Sequence, residues 1–412
     1  VPARPAEEEK DDMSGGDLTV TNAAVFDGET EGLREADVRI ADGVIREVGA
    51  SGVSRAERVV DAHGRALIPG MIDAHFHAYA SAMGGLELET RPLSYVSLNA
   101  SARLGAALRR GFTTVRDVAG GDIGLAWAIE EGLLAAPRYL YTGPALSQTG
   151  GHGDPRSPEL DVCFGHGHMN EIVDGVDAVR RAVRERFRTG AHAIKIMASG
   201  GVISLTDPIR VPQYSAAEVA AVADEATRRG SYVAAHAYSA EAIVHSVTNG
   251  VRSIEHGNLL DAEAARLMAE HAAFLVPTLV AYDAMNRRGD DVNLHPVSKA
   301  KNAEVLAAGQ RAIEIARAEG VRIGFGSDLM GPLADEQLHG IRLQLDVDPV
   351  FDVLRSLTSV NAELLGRSDV GRIAEGCAGD LVLLDGDPTA DPAVLWDEAR
   401  PRTVIQGGSI CP

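Results

Sequence analysis

The sequence predicts an α/β chain: a (β/α)8 TIM barrel with a small β-sandwich domain formed from both chain ends. Three observations lead there. Eight short apolar runs alternate with Ala-rich and charged helical stretches between positions 70 and 367. The flanking segments 17–69 and 368–412 alternate apolar and polar residues at strand spacing instead. Histidines, a lysine and an aspartate recur within the apolar runs or just past their ends, where such barrels carry their chemistry.

The elements follow in chain order. Segment 1–16 is acidic and lacks the apolar stretch of a signal peptide, so it reads as a disordered tail with Met13 as a candidate start. Leu18–Val20, Ala24–Phe26, Val38–Ile40 and Val44–Val48 are short strands, punctuated by Asp27-Gly28 and Asp42-Gly43 turns. The barrel runs are Met71–Ala74, Thr113–Val118, Tyr139–Tyr141, Ala193–Met197, Val233–Ala235, Arg252–Glu255, Ala273–Val276 and Val321–Phe325. Between them lie helices such as Ala216–Arg229, with Ser215 as N-cap and Glu218 at the third position, and Val297–Glu319. A doubly wound sheet would show the same alternation. Asp380–Leu384 and Thr403–Ile405 return to strand character, separated by the turn Asp385–Pro388.

Composition excludes several functions. A chain of 412 residues with a formal charge of −20 repels nucleic acid phosphates and anionic membranes. No apolar run reaches the roughly 18 residues of a membrane helix. Three cysteines, Cys163, Cys377 and Cys411, lie far apart and make a poor disulfide framework, so they read as structural thiols of a reducing cytoplasm. The expectation is a cytoplasmic homo-oligomer acting on a small-molecule substrate, with neither nucleic acid nor membrane as partner.

The chemistry concentrates in a few places. In Pro69–His77, His75 and His77 are two apart, so a strand presents both imidazoles on one side. Two imidazoles at a strand end make half of a metal site. Lys195 sits inside the apolar Ala193–Met197, where an unpaired ammonium is costly. It is paired with a carboxylate, or its neutral amine has taken up carbon dioxide to give N6-carboxylysine, a carbamate able to bridge two cations. His236 and His256 each close a predicted strand, and Asp328 ends the eighth.

Taken in order, His75-x-His77, Lys195, His236, His256 and Asp328 resemble the amidohydrolase superfamily, with His-x-His on strand one and Lys, His, His and Asp on strands four, five, six and eight. The resemblance covers nearly the whole chain. A narrower one is to the imidazolonepropionase-related dipeptidases, which include metal-dependent prolidases, Xaa-Arg or Xaa-Lys carboxypeptidases and ochratoxin-type amidases. It is carried by Gly111–Asp117, Gln148–Asp154, Lys195–Gly201, His236–Tyr238 and Ile254–Gly257.

The resemblance implies two divalent metal ions, zinc foremost. His75, His77 and Asp328 would hold one, and His236 and His256 the other, with carbamylated Lys195 and a hydroxide between them. It implies hydrolysis of the amide (peptide) bond of a dipeptide or N-acyl amino acid, with Asp328 moving the proton. His152 and Tyr238 would contact the scissile group, and Arg210, in the loop after strand four, would take a substrate carboxylate. The segment Asp161–Met169 matches no pattern and is expected to shape the pocket. The alternatives are a lactonase, esterase or phosphotriesterase on the same metals, a mononuclear deaminase, which should lack Lys195, and a non-enzymatic scaffold.

Overall fold

The computed structural model describes residues 16–50 and 52–412. The expected tail, apart from Gly16, and the candidate start Met13 lie outside the described residues.

The first part of the chain forms strands β1 (Leu18–Val25), β2 (Arg34–Ala41), β3 (Val44–Gly49), β4 (Arg58–Asp61) and β5 (Ala66–Pro69). The second part supplies β6 (Met71–Phe76), β7 (Phe112–Asp117), β8 (Arg138–Tyr141), β9 (Ala145–Ser147), β10 (Asn170–Ile172), β11 (Ile194–Met197), β12 (Val233–Ser239), β13 (Ser253–Leu259), β14 (Phe274–Val276) and β15 (Arg322–Ile323). The C-terminal part adds β16 (Leu381–Leu383), β17 (Thr403–Gln406) and β18 (Ser409–Ile410).

Strands from both chain ends share one eight-stranded sheet in the order β18-β17-β16-β5-β1-β2-β3, with β4 alongside β1. Alternation dictates its packing. The residues Leu18, Val20, Val38, Ile40, Ile45, Leu67, Leu381, Leu383 and Ile405 form one buried cluster, while Ala66, Ile68 and Val382, next to them along β5 and β16, point to the opposite face and pack with the barrel core. The sheet curls until Val44 bridges Ala378.

Each of the eight apolar runs overlaps a parallel barrel strand. β11 and β12 are buried along their full length, as strands covered on both faces must be. The third staves in two pieces. β8 pairs with β7 and β9 pairs with β11, because Gly143 turns the chain at φ 69° and Pro144 has no N–H to donate. The eighth strand is short, and the ring closes through single bonds: Gly324 N to Leu275 O at 2.8 Å, Ala74 N to Phe325 O at 3.0 Å and Asp328 N to His75 O at 2.8 Å. Asn361 staples this seam, donating to Ile72 O at 2.7 Å and Phe325 O at 2.9 Å and accepting from Phe325 N.

Helices fill the outer layer. Ala216–Arg228 begins with both bonds of its capping box, Ser215 to the Glu218 N–H and Glu218 back to the Ser215 N–H. Among the described residues no helix is long and apolar enough to cross a membrane.

Gly111 marks the join between the barrel floor and the terminal sheet. Its φ is +98°, and a Cβ there would lie 2.9 Å from Met71 Cε and 3.1 Å from Val382 Cγ2. Gly111→Ala should therefore cost about 1–3 kcal/mol in stability. Urea unfolding of both proteins checks this, and an unchanged midpoint would refute it.

Candidate active site

His75 lies near the end of β6 and His77 just past it, two positions on, so both rings reach the same carboxylate. Nε2 of His77 is 2.9 Å, and Nε2 of His75 3.3 Å, from Asp328 Oδ1. Nδ1 of His256 is 3.7 Å from Asp328 Oδ2. The imidazoles form a chain of close neighbours: His75 and His77 lie 5.0 Å apart by ring centroid, His75 and His256 4.9 Å, and His256 and His236 4.6 Å. One atom each from His75, His77 and Asp328 can meet within 4.8 Å of one another. These residues and Lys195 line one cavity of about 570 Å³.

The strand ends differ from the sequence expectation. β12 and β13 run past their histidines, to Ser239 and Leu259. His256 adopts φ 75° and Asp328 φ 53°, a left-handed backbone that side chains with a Cβ rarely take. Backbone strain of about 1–3 kcal/mol per residue persists only where the surroundings enforce it.

The histidines are held from behind. His75 Nδ1 donates to Glu255 Oε2 at 2.7 Å, and the other Glu255 oxygen accepts from Arg116 Nη2 at 2.7 Å and Ser253 Oγ at 2.5 Å. His236 Nε2 donates to Gly200 O at 3.1 Å. His256 Nδ1 lies 2.8 Å from both Thr278 Oγ1 and Tyr282 OH. Asp73, wholly buried, accepts from the amides of His75 and Ser327 and from Gln337. Such partners behind a ligating histidine fix which ring nitrogen stays bare.

Electrostatics agree with a cation site. Burial holds His77 below the usual imidazole range, and His236 and His256 well below it, so all three are neutral and able to ligate. Burial works against ionisation of Asp328, but His75 and His77 outweigh it and keep its carboxyl well below the usual range. Burial also brings Lys195 down to about 8, although Glu255 and Asp328 pull the other way. Among the described residues no hydrogen bond engages its Nζ, and Nδ1 of His77 is buried without a hydrogen bond, 4.0 Å from Asp117 Oδ1. Neutral imidazoles gathered around an ionised carboxylate are a donor set that fits a divalent cation of the zinc type.

His152 and Tyr238 line the same cavity. His152 stacks on His236 at 4.2 Å, and Tyr238 on His256 at 5.1 Å, with its hydroxyl 2.9 Å from that of Tyr282. Arg210 corrects an expectation. Its side chain is mostly exposed, pairs with Glu304 at 2.7 Å and is absent from the cavity wall. Proximity in sequence to β11 did not determine its direction. Of Asp161–Met169, Met169 alone reaches the cavity, while His166 pairs with Glu171 and His168 with the Arg91 carbonyl. All three cysteines are free; Cys377 is buried, but Cys163 is exposed and lacks the packing role expected of it. Arg116, Glu255, Asp73, Thr278 and Tyr282 were not foreseen as site residues. Their signal, charged or polar groups inside apolar strands, was present for Arg116 and Glu255.

Comparison with known proteins places these features in context. The pattern of the amidohydrolase family matches residues 66–411. An ochratoxinase of Aspergillus niger is 32% identical over 421 aligned positions, covering 93% of this chain and 84% of that protein. The structure of a prolidase complexed with N-methylphosphonate-L-proline superposes with a TM-score of 0.92 at 44% identity, covering 95% of this chain and 98% of the other. A Xaa-Pro dipeptidase with methionine bound in its active site gives a TM-score of 0.87 at 28% identity, covering 96% and 99%.

Glu255→Gln should separate the support from the ligands. The change keeps an acceptor for His75 but strands Arg116 in the interior, which costs about 3–5 kcal/mol. Loss of the carboxylate behind a ligating histidine should weaken metal binding about 10- to 100-fold. Zinc competition against a chromophoric chelator measures this, and native affinity would refute the coupling.

Proposed function

The chain belongs to the amidohydrolase family, and we propose that it is a binuclear metal-dependent hydrolase that cleaves the amide bond of a dipeptide or N-acyl amino acid. The observation that carries this reading is the meeting of four histidines, Lys195 and Asp328 in the wall of one cavity. The amide-cleaving names of the similar proteins support it.

In this reading His75, His77 and Asp328 hold one ion and His236 and His256 the other. Lys195, as a carbamate formed when its neutral amine adds to carbon dioxide and releases a proton, would add a carboxylate-like group to this donor set. Its burial without a hydrogen-bond acceptor supports that role. The bound ions would supply Lewis acidity and lower the pKa of water toward about 7. Asp328 takes the proton of the attacking water and delivers it to the leaving amine. His152 and Tyr238 hydrogen-bond the carbonyl oxygen as charge develops on it.

The cavity wall argues for the kind of substrate. Met83, Met169, Met197, Met285 and Met330 line it, five of the eight methionines in the chain. Unbranched thioethers make an adaptable apolar surface, which favours a bulky apolar group beside the amide. With Arg210 turned away, Arg91 and Arg156 are the guanidiniums in the wall. Asp154 holds the Arg156 guanidinium through two bonds, and Glu87 and the Ser81 carbonyl hold that of Arg91, so a substrate carboxylate would have to displace one of these partners.

A library of dipeptides and N-acyl amino acids, assayed with zinc, manganese or cobalt added, tests the proposal. Turnover should favour apolar members with a free carboxylate. No amide turnover beside fast lactone or phosphotriester cleavage would overturn it. Elemental analysis of the active protein should give about two divalent ions per chain.

Asp328→Asn should keep the fold, being nearly isosteric, and lower kcat by at least about 100- to 10,000-fold at saturating metal. Circular dichroism on the same sample guards against misfolding. A near-native kcat would remove Asp328 from proton transfer.

A further inference from the structure

His152 does not stand on its own strand; it sits on a loop, and it rests against a second loop, 200–208, which has no helix or strand of its own. The contact is close. A Cβ on Gly201 would lie 2.0 Å from His152 Cε1, so the ring lies directly on the backbone of that loop. His152 Nδ1 is 2.7 Å from Ser204 Oγ. Its backbone N–H donates to Gln213 Oε1 at 2.9 Å, and Gln213 Nε2 donates to Asp207 Oδ2 at 3.1 Å, which also accepts from Gly201 N. Ring and backbone of His152 are thus both referred to loop 200–208.

What holds the loop comes from elsewhere. Lys301, on the outer helix Pro296–Ala318, turns inward instead of into solvent. Its Nζ donates to Gly201 O at 3.0 Å, Ser204 O at 2.7 Å and Asp207 O at 2.7 Å. These three donors satisfy three carbonyls that irregular backbone cannot pair for itself. The same ammonium is 3.6 Å from Asp207 Oδ1, an oxygen buried with no hydrogen-bond partner among the described residues. Asp207 is 3% exposed, so without Lys301 a buried carboxylate would lose the cation that balances it.

We infer that Lys301 is a positioning residue for His152: its ammonium clamps loop 200–208, and the loop sets the place and orientation of the imidazole in the cavity. This rests on the role proposed for His152 in amide hydrolysis. The residue touches no substrate; it acts through Gly201, Ser204 and Asp207.

The test uses the full chain at saturating zinc, so that any change in metal affinity is not what is read. Lys301→Met should speed amide hydrogen exchange in 200–208 and 150–154 and leave the rest of the barrel protected. With the best dipeptide, kcat should fall about 100-fold, the cost of moving a reacting group by about an ångström, while KM changes little. Lys301→Arg, which can still reach the carbonyls, should recover most of the loss. Combining Lys301→Met with His152→Ala should be no worse than His152→Ala alone. Native exchange and native kcat in Lys301→Met would overturn the inference, as would losses that multiply in the double variant. Should Lys301→Met fail to fold, Ser204→Ala removes only the hydroxyl on His152 and must itself lower kcat; a native value overturns the clamp. If the unaltered protein cleaves no amide, the proposed function fails on its own. The exchange pattern then decides the clamp, kept if both segments loosen together and discarded if neither does.

Discussion

A single carboxylate organises the interior of this barrel. Glu255 is completely buried, and an unpaired charge there would be prohibitive. Arg116, equally buried, meets one oxygen, and His75 meets the other. Arg116 also donates to the Ala74 carbonyl, next to His75 itself. The guanidinium therefore balances the carboxylate and grips the strand that carries the first histidine pair. Because Glu255 accepts only, His75 keeps a proton on Nδ1, and its Nε2 is turned toward Asp328. A choice of tautomer at the site is thus made one layer deeper, by a pair of charges that never meet solvent. Such a pair adds little net stability over an apolar one; its value lies in geometry.

The same logic explains why strained backbone is tolerated. His256 and Asp328 sit in the left-handed region, and each is pinned on more than one side. His256 is held by Thr278 and Tyr282, and Asp328 by the His75 carbonyl and the two rings at its carboxylate. The eighth strand is too short to hold Asp328 by ladder bonds alone, so Asp73 and Asn361 supply the missing fastening. Regular structure brings the ligands near one another, and side-chain hydrogen bonds finish the placement.

Legibility in the sequence follows from which physics is local. The spacing of two in His75-x-His77 was readable because strand geometry is periodic. Apolar runs marked all eight staves, because a stave covered on both faces has to be apolar. The break at Gly143-Pro144 was legible in principle but looked like the end of a run. Arg116 and Glu255 were visible as charges inside strands, yet nothing local says that they meet across the barrel. Arg210 fails for the same reason: a loop position does not specify which way a long side chain points. Lys301 is harder still, because its three acceptors lie about a hundred positions away and are all backbone atoms, which no residue type announces.

The shared terminal sheet bears on how the molecule comes into being. β5 hands the chain directly to the first stave, and its sheet neighbour β16, paired through Ile68 and Val382, is made only after the eighth stave. A ribosome would release β1 to β5 long before their partner exists, leaving an unpaired, apolar-faced edge during synthesis of the whole barrel. Pairings so distant along the chain form late and slowly, and exposed edges invite association with other chains. The nascent protein is therefore vulnerable throughout synthesis of its barrel, and a chaperone that shields the early edge would raise yield without touching the active site.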